Sequence, residues 1–138
     1  MAIKMKILHY PEKGKITTFT NILSEEYQVK ADKIPPAYDC SRDRLLFAGV
    51  SSGKTVDDAL ARFLRGLTKD KVQNVAIFTD APDVAIEQMK ALVTEAGAKV
   101  MDVKKVKGNL FAFLTSVKPE EADELKAWAK GIVEQLQD

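Results

Sequence analysis

The chain has 138 residues, with hydrophobic residues at 46% and charged residues at 30%, a balance that suits one globular domain and excludes disorder. Twenty-one Lys and Arg against twenty Asp and Glu leave a net charge of +1, so no overall field recruits nucleic acid or acidic lipid. The single cysteine, Cys40, excludes an internal disulfide framework and a cysteine-built zinc site, and no apolar run approaches the roughly 20 residues of a membrane span.

Met1-Ala2-Ile3-Lys4 opens the chain without a long apolar stretch or a cleavage site, so a cytoplasmic location is the expectation. Met5 to His9 reads as a first strand. After it, Ile16, Phe19, Ile22 and Leu23 form a short, threonine-rich helical stripe. Tyr27 to Ala31 is a weaker strand pattern, suited to a sheet edge. Asp32 to Asp43 contains Pro35-Pro36 and no apolar period, so it reads as a loop, with one crossover helix missing or reduced to a turn. Leu45 to Val50 and Val75 to Phe78 are short continuous apolar runs, the pattern of strands buried on both faces of a parallel sheet. Between them Val56, Ala59, Leu60, Phe63, Leu64 and Leu67 repeat at helical spacing, and Thr55 with Asp58 is close to a capping box. Asp80 and Pro82 then open a helix carrying Ala85, Ile86, Met89, Leu92, Val93 and Ala96, which Gly97 ends. Lys99 to Val106 is a strand interrupted by Asp102, Lys104 and Lys105; charge inside a strand favours an edge, where lysine discourages stray pairing. Pro119, Glu120 and Glu121 suit the first turn of a last helix carrying Leu125, Trp128, Ala129, Ile132, Val133 and Leu136.

Strands alternating with helices predict an α/β domain, with a parallel sheet covered on both faces. No repeat, low-complexity tract or linker divides residues 1–138, so a single domain is expected. In such sheets ligands bind beyond the carboxyl ends of the strands. Tyr10 to Thr17, Val50 to Thr55, Thr79 to Pro82 and Lys107 to Phe111 fall there. The first stretch follows a strand and opens a helix, where amides and the helix dipole favour a phosphate. Gly14 permits unusual backbone angles, and Lys13, Lys15, Thr17 and Thr18 offer charge or hydroxyls; the plainer reading is a solvated turn.

Ala48-Gly49-Val50-Ser51-Ser52-Gly53-Lys54-Thr55 nearly fits the phosphate loop G-x-x-x-x-G-K-[ST], with Ala48 in place of the first glycine. Asp80 would stand as the magnesium-directing aspartate. Against nucleotide hydrolysis, the loop follows the third strand rather than the first, and few residues remain for switch elements. His9 is the only histidine and reads as a hydrogen-bonded structural group, with no nucleophile or metal cluster around it. Lys104, Lys105 and Lys107 read as edge protection or, more sharply, as a docking patch for an acidic partner. Trp128 reads as core.

The chain resembles the short-chain flavodoxin-like family over nearly its whole length. Met5-Lys6-Ile7-Leu8-His9-Tyr10 resembles the family's first strand, with Gly14 at the place of the phosphate-loop glycine. Leu45 to Lys54, leading into Ala59-Leu60-Ala61-Arg62-Phe63-Leu64, is the closest match. Val75 to Thr79, Gly97 to Val100, Lys107 to Phe111, Pro119-Glu120-Glu121 and Ala127 to Lys130 continue it. The resemblance implies a three-layer α/β/α sandwich on a five-stranded parallel sheet of order 2-1-3-4-5. It implies non-covalent FMN and electron transfer to a partner protein; that no nucleic acid and no membrane are involved is the expectation from charge and hydropathy alone. FMN phosphate would sit on Glu12, Lys13, Gly14, Lys15, Ile16 and Thr17. The flavin ring would lie between Val50, Ser51, Ser52 and Gly53 on one side and Thr79, Asp80, Ala81 and Pro82 on the other. The first loop departs from the family's T/S-x-T-G-N-T: Pro11 removes an amide and Ile16 a hydroxyl. A cofactor-free binding or structural module is therefore the competing expectation.

Overall fold

The computed structural model describes residues 3–108 and 116–137. Five strands, β1 (Met5–Tyr10), β2 (Ala31–Lys33), β3 (Asp43–Val50), β4 (Val72–Thr79) and β5 (Lys99–Lys105), form one parallel sheet in the order β2-β1-β3-β4-β5. Four helices cover it: α1 (Lys15–Tyr27), α2 (Asp58–Arg65), α3 (Asp83–Ala96) and α4 (Pro119–Leu136). The result is the α/β/α sandwich that the alternating pattern implied, with the 2-1-3-4-5 strand order that the resemblance implied.

Strand alternation sorts the core into two layers. Ile7, Leu45, Phe47, Ala76 and Phe78 face α1 and α4, where they meet Ile16, Phe19, Leu23, Leu125, Ala129, Ile132 and Val133. Leu8, Leu46, Ala48, Val50, Val75 and Ile77 face α2 and α3, against Leu60, Leu64, Ala85, Ile86, Met89 and Val93. With both faces covered, β3 and β4 are buried almost throughout, which is why they read as unbroken apolar runs.

No helix joins β2 to β3. The proline-bearing loop instead inserts Ile34 and Cys40 into the α2–α3 layer, both nearly fully buried. Lys6 donates to the carbonyls of Tyr38 and Asp39 at 2.8 and 2.9 Å, Lys4 donates to the Ser41 carbonyl, and Lys71 pairs with Asp39 at 2.9 Å. Two apolar anchors and three lysines thus do the work of the missing helix.

Two boundaries differ from the sequence expectation. Tyr27 belongs to α1, not to the edge strand: it continues the Phe19–Leu23 stripe and stacks on Phe47, with ring centroids 6.1 Å apart. The chain turns at Gln28, which adopts a left-handed φ of 55° without being glycine, so β2 starts only at Ala31. Helix α2 starts at Asp58, so Thr55 forms no capping box; Asp57 is the N-cap and makes no side-chain cap bond, its carboxylate accepting from Tyr10 Oη at 3.0 Å instead. Val56 and Leu67 are still buried, as flanking anchors rather than helical residues.

Strand β5 lies at the sheet edge, as its charges suggested. Its Asp102 is not merely solvated: Trp128 Nε1 donates to it at 2.9 Å, while the indole packs edge-on against Phe47 and Phe78. Trp128 is accordingly a partly buried residue packed against the core, with one polar handle. Among the described residues no helix is long and apolar enough to cross a membrane.

Candidate functional site

The carboxyl ends of β1, β3 and β4 meet at one corner of the sheet, under the N-terminus of α1. Gly49 makes the close approach there possible. A Cβ at this position would lie 2.5 Å from Phe78 Cζ and 2.9 Å from Thr20 Oγ1, so any larger residue would push the buried Phe78 ring or lift α1. Helix α1 begins after Gly14, whose φ of 132° is one that side-chain-bearing residues avoid. No side chain caps α1, and its first turn carries no acid. Helix termini in this condition favour an anion.

A cavity of about 190 Å³ occupies this corner, lined by Pro11, Lys13, Gly14, Lys15 and Ile16 together with Ser51 and Asp80. Three separate strand-end loops therefore converge as the sequence implied. The corner is open rather than plugged. Beside it runs a larger cleft of about 1110 Å³, whose described lining includes Phe19, Ser52, Lys104, Lys107, Lys118 and Glu124 and shares Lys15 and Asp80 with the smaller cavity.

The predicted site residues divide on inspection. The Lys15 side chain is largely sequestered: its ammonium pairs with Glu121 of α4 at 3.0 Å and stands 5.7 Å from the Phe19 ring centroid. Glu121 also accepts from the Lys118 amide at 3.1 Å, closing the first turn of α4. Desolvation alone would push the Glu121 carboxyl up, but the Lys118 amide and the Lys15 ammonium outweigh it and hold the group below its ordinary value. Thr17 does not turn its hydroxyl to the cavity; it donates to the Glu12 carbonyl at 3.1 Å. Glu12 is exposed and lies 3.9 Å from Lys33. The Ile16 side chain is in the core.

Of the two ring loops, Val50 and Ala81 point into the α2–α3 layer, and Thr79 is fully buried, its hydroxyl accepting from the Ala81 amide at 3.0 Å. Gly53 and Pro82 are exposed and line neither cavity. Ser51, Ser52 and Asp80 are the members that face the site. Ser51 Oγ donates to Asp80 at 2.8 Å and the Ser52 amide donates to it at 3.2 Å. Gly108 packs so closely on this carboxylate that a Cβ there would sit 2.7 Å from Asp80 Cβ. Asp80 is thus a fixed acceptor suited to a ligand N–H or O–H. Pro82, not Asp80, is the N-cap of α3. In the fourth predicted stretch Lys107 and Gly108 line the cleft, and residues 109–111 lie outside the described residues.

The nucleotide-loop motif does not take the required shape. A phosphate loop hands its Gly-Lys-Thr directly to a helix, whereas Gly53, Lys54 and Thr55 are exposed and α2 starts at Asp58. The sequence pattern left one contribution out of the ligand stretches: Lys104, read as edge protection or a docking patch, stands on the wall of the cleft beside Lys107. His9 is the hydrogen-bonded group the sequence suggested, holding the Pro11 carbonyl through Nδ1 at 2.9 Å, directly beneath the loop. Its strand-end position signalled a hydrogen bond but not the partner. Among the described residues no group of His, Cys, Asp and Glu could hold a metal ion.

No protein-family model matches this chain, and a search of curated proteins finds no significant match.

Proposed function

We propose that this protein is a flavodoxin-like, FMN-binding electron-transfer module of the cytoplasm, with the phosphate of the cofactor at the N-terminus of α1. The observation that carries the reading is the 190 Å³ cavity bounded by Pro11, Lys13, Gly14, Lys15 and Ile16, at a helix terminus without a side-chain cap or a first-turn acid. It has room for a phosphoryl group and offers amides, a helix dipole and the Lys13 ammonium. Asp80 and the Ser51 and Ser52 loop stand at the far wall, where a polyol chain or a ring N–H finds an acceptor. FMN, when bound, supplies the redox chemistry, and the protein orients it and sets its electrostatic surroundings. Lysines 104, 105 and 107, beside the cleft, would meet an acidic redox partner.

A cofactor-free binding module is the second reading. Two observations favour it: the Lys15 ammonium is already engaged by Glu121, and the Thr17 hydroxyl is turned to the Glu12 carbonyl. Addition of purified protein to FMN decides between them. Quenching of flavin fluorescence with a saturable dependence on protein concentration is the expected result. Unchanged fluorescence at high protein concentration would leave the cofactor-free reading standing.

A further inference from the structure

The loop Pro11–Gly14 has two of its carbonyls tied down from one side. His9 Nδ1 lies 2.9 Å from the Pro11 carbonyl oxygen. A carbonyl can only accept, so Nδ1 carries the proton and donates. Thr17 Oγ1 donates to the Glu12 carbonyl at 3.1 Å and sits 3.4 Å from His9 Nδ1, so the two side chains form one linked pair of tethers. His9 reaches up from β1 and Thr17 belongs to the first turn of α1.

In a trans peptide the C=O and the following N–H point in opposite directions. Fixing the Pro11 carbonyl toward His9 therefore aims the Glu12 amide away from His9, and fixing the Glu12 carbonyl toward Thr17 does the same for the Lys13 amide. The small cavity is lined by Pro11, Lys13 and Gly14 of the loop and by Ser51 and Asp80, and neither His9 nor Thr17 lines it, so the two tethers hold the loop from outside the cavity. Consecutive amides turned to one side form an anion-binding concavity. A loop of this length would otherwise present carbonyls and amides to the cavity in alternation, which repels a phosphate as readily as it attracts one.

We infer that His9 and Thr17 are positioning residues for the phosphate of the bound cofactor: by holding the Pro11 and Glu12 carbonyls they keep the loop's amides facing the cavity. The role supplies what the departures from a hydroxyl-rich loop took away. It rests on the flavin-phosphate reading and assigns its affinity to two side chains that do not touch the ligand.

The ratio of FMN to riboflavin affinity isolates the phosphate contribution, and fluorescence titration of each flavin measures it without any electron-transfer assay. Wild type should bind FMN more tightly than riboflavin. His9→Leu removes the donor, and losing one amide bond to a charged phosphate should lower the ratio about tenfold or more. His9→Asn places an N–H close to the Nδ1 position and should keep the ratio within about twofold, which general loosening of the corner would not. Thr17→Val and Thr17→Ser form the second pair, with loss and retention expected in turn, and they decide the matter if His9→Leu does not fold. A folded His9→Leu or Thr17→Val with the wild-type ratio overturns the inference, as does loss in the Asn and Ser variants equal to that in Leu and Val. Riboflavin bound as tightly as FMN by wild type also overturns it while leaving a flavin site in place. Failure to bind either flavin overturns the functional reading itself.

Discussion

Replacement of Gly49 by Ala tests how tightly the corner is built. In register, Gly49 lies between His9 of β1 and Phe78 of β4, and the added methyl would stand 2.5 Å from Phe78 Cζ and 2.9 Å from Thr20 Oγ1. Neither neighbour gives way easily. Phe78 is fully buried and packs edge-on against Trp128 at 6.3 Å, and Thr20 Oγ1 is held by its bond to the Ile16 carbonyl at 2.8 Å. Overpacking of this kind costs about 1–3 kcal/mol, and a site this rigid belongs at the upper end. Alanine restricts the unfolded chain and returns about 0.4–1 kcal/mol. A net loss of roughly 2 kcal/mol is therefore expected in urea unfolding, equivalent to a fall in Tm of roughly 5–10 °C. Phe78→Leu removes the obstructing ring edge, so the double variant should be more stable than the sum of the single losses implies, by about 1 kcal/mol. A Gly49→Ala loss below about 0.5 kcal/mol, or strict additivity with Phe78→Leu, would refute the close-approach argument.

Three further outcomes follow from the site and its surroundings. The Glu121 carboxyl is held below its ordinary value in the folded state, so it contributes stability above the unfolded-state pKa and loses it as pH falls through the lower folded value. Glu121→Gln should cost less than about 1 kcal/mol near neutrality, because the ion pair is partly solvated, and the gap from wild type should close in acid; urea titrations across pH check the sign. The Cys40 thiol is pushed up to about 11, first by burial and then by the nearby Asp43 charge, so it should resist thiol reagents at neutral pH until the protein is unfolded. Asp80→Asn removes a negative charge from the wall of the anion cavity while keeping an acceptor for Ser51, and should raise the ratio of FMN to riboflavin affinity several-fold; an unchanged ratio would place the phosphate elsewhere.

The legible part of the molecule was the part governed by burial on two sides. Leu45 to Val50 and Val75 to Phe78 are apolar because helices cover both faces of β3 and β4, and that signal carried the parallel sheet, while its strand order came from the family resemblance. Boundaries set by single backbone angles were not legible: nothing in Gln28 marks it as a left-handed stop, so Tyr27 read as strand although it completes the α1 stripe. The start of α2 was misplaced because Thr55 and Asp58 have capping-box spacing while Tyr10, remote in sequence, engages Asp57. The same division holds at the site. Loop positions after strands followed from topology, so Lys13, Gly14, Ser51 and Asp80 were expected together and do line one cavity. Which face each side chain presents depends on tertiary partners. Val50, Thr79 and Ala81 therefore proved to be core, and Lys15 proved to be paired with Glu121, a residue more than a hundred positions away. His9 read as a hydrogen-bonded group, but which carbonyl it holds was not legible, because no sequence pattern encodes that.

Amide chemical shifts during titration with FMN test the central claim most directly. The largest changes should fall on Glu12, Lys13, Gly14, Lys15 and Ile16, with smaller ones on Ser51 and Ser52, and riboflavin should reproduce only the latter. Shifts centred on another part of the surface, or none at millimolar FMN, would contradict a phosphate site at the head of α1.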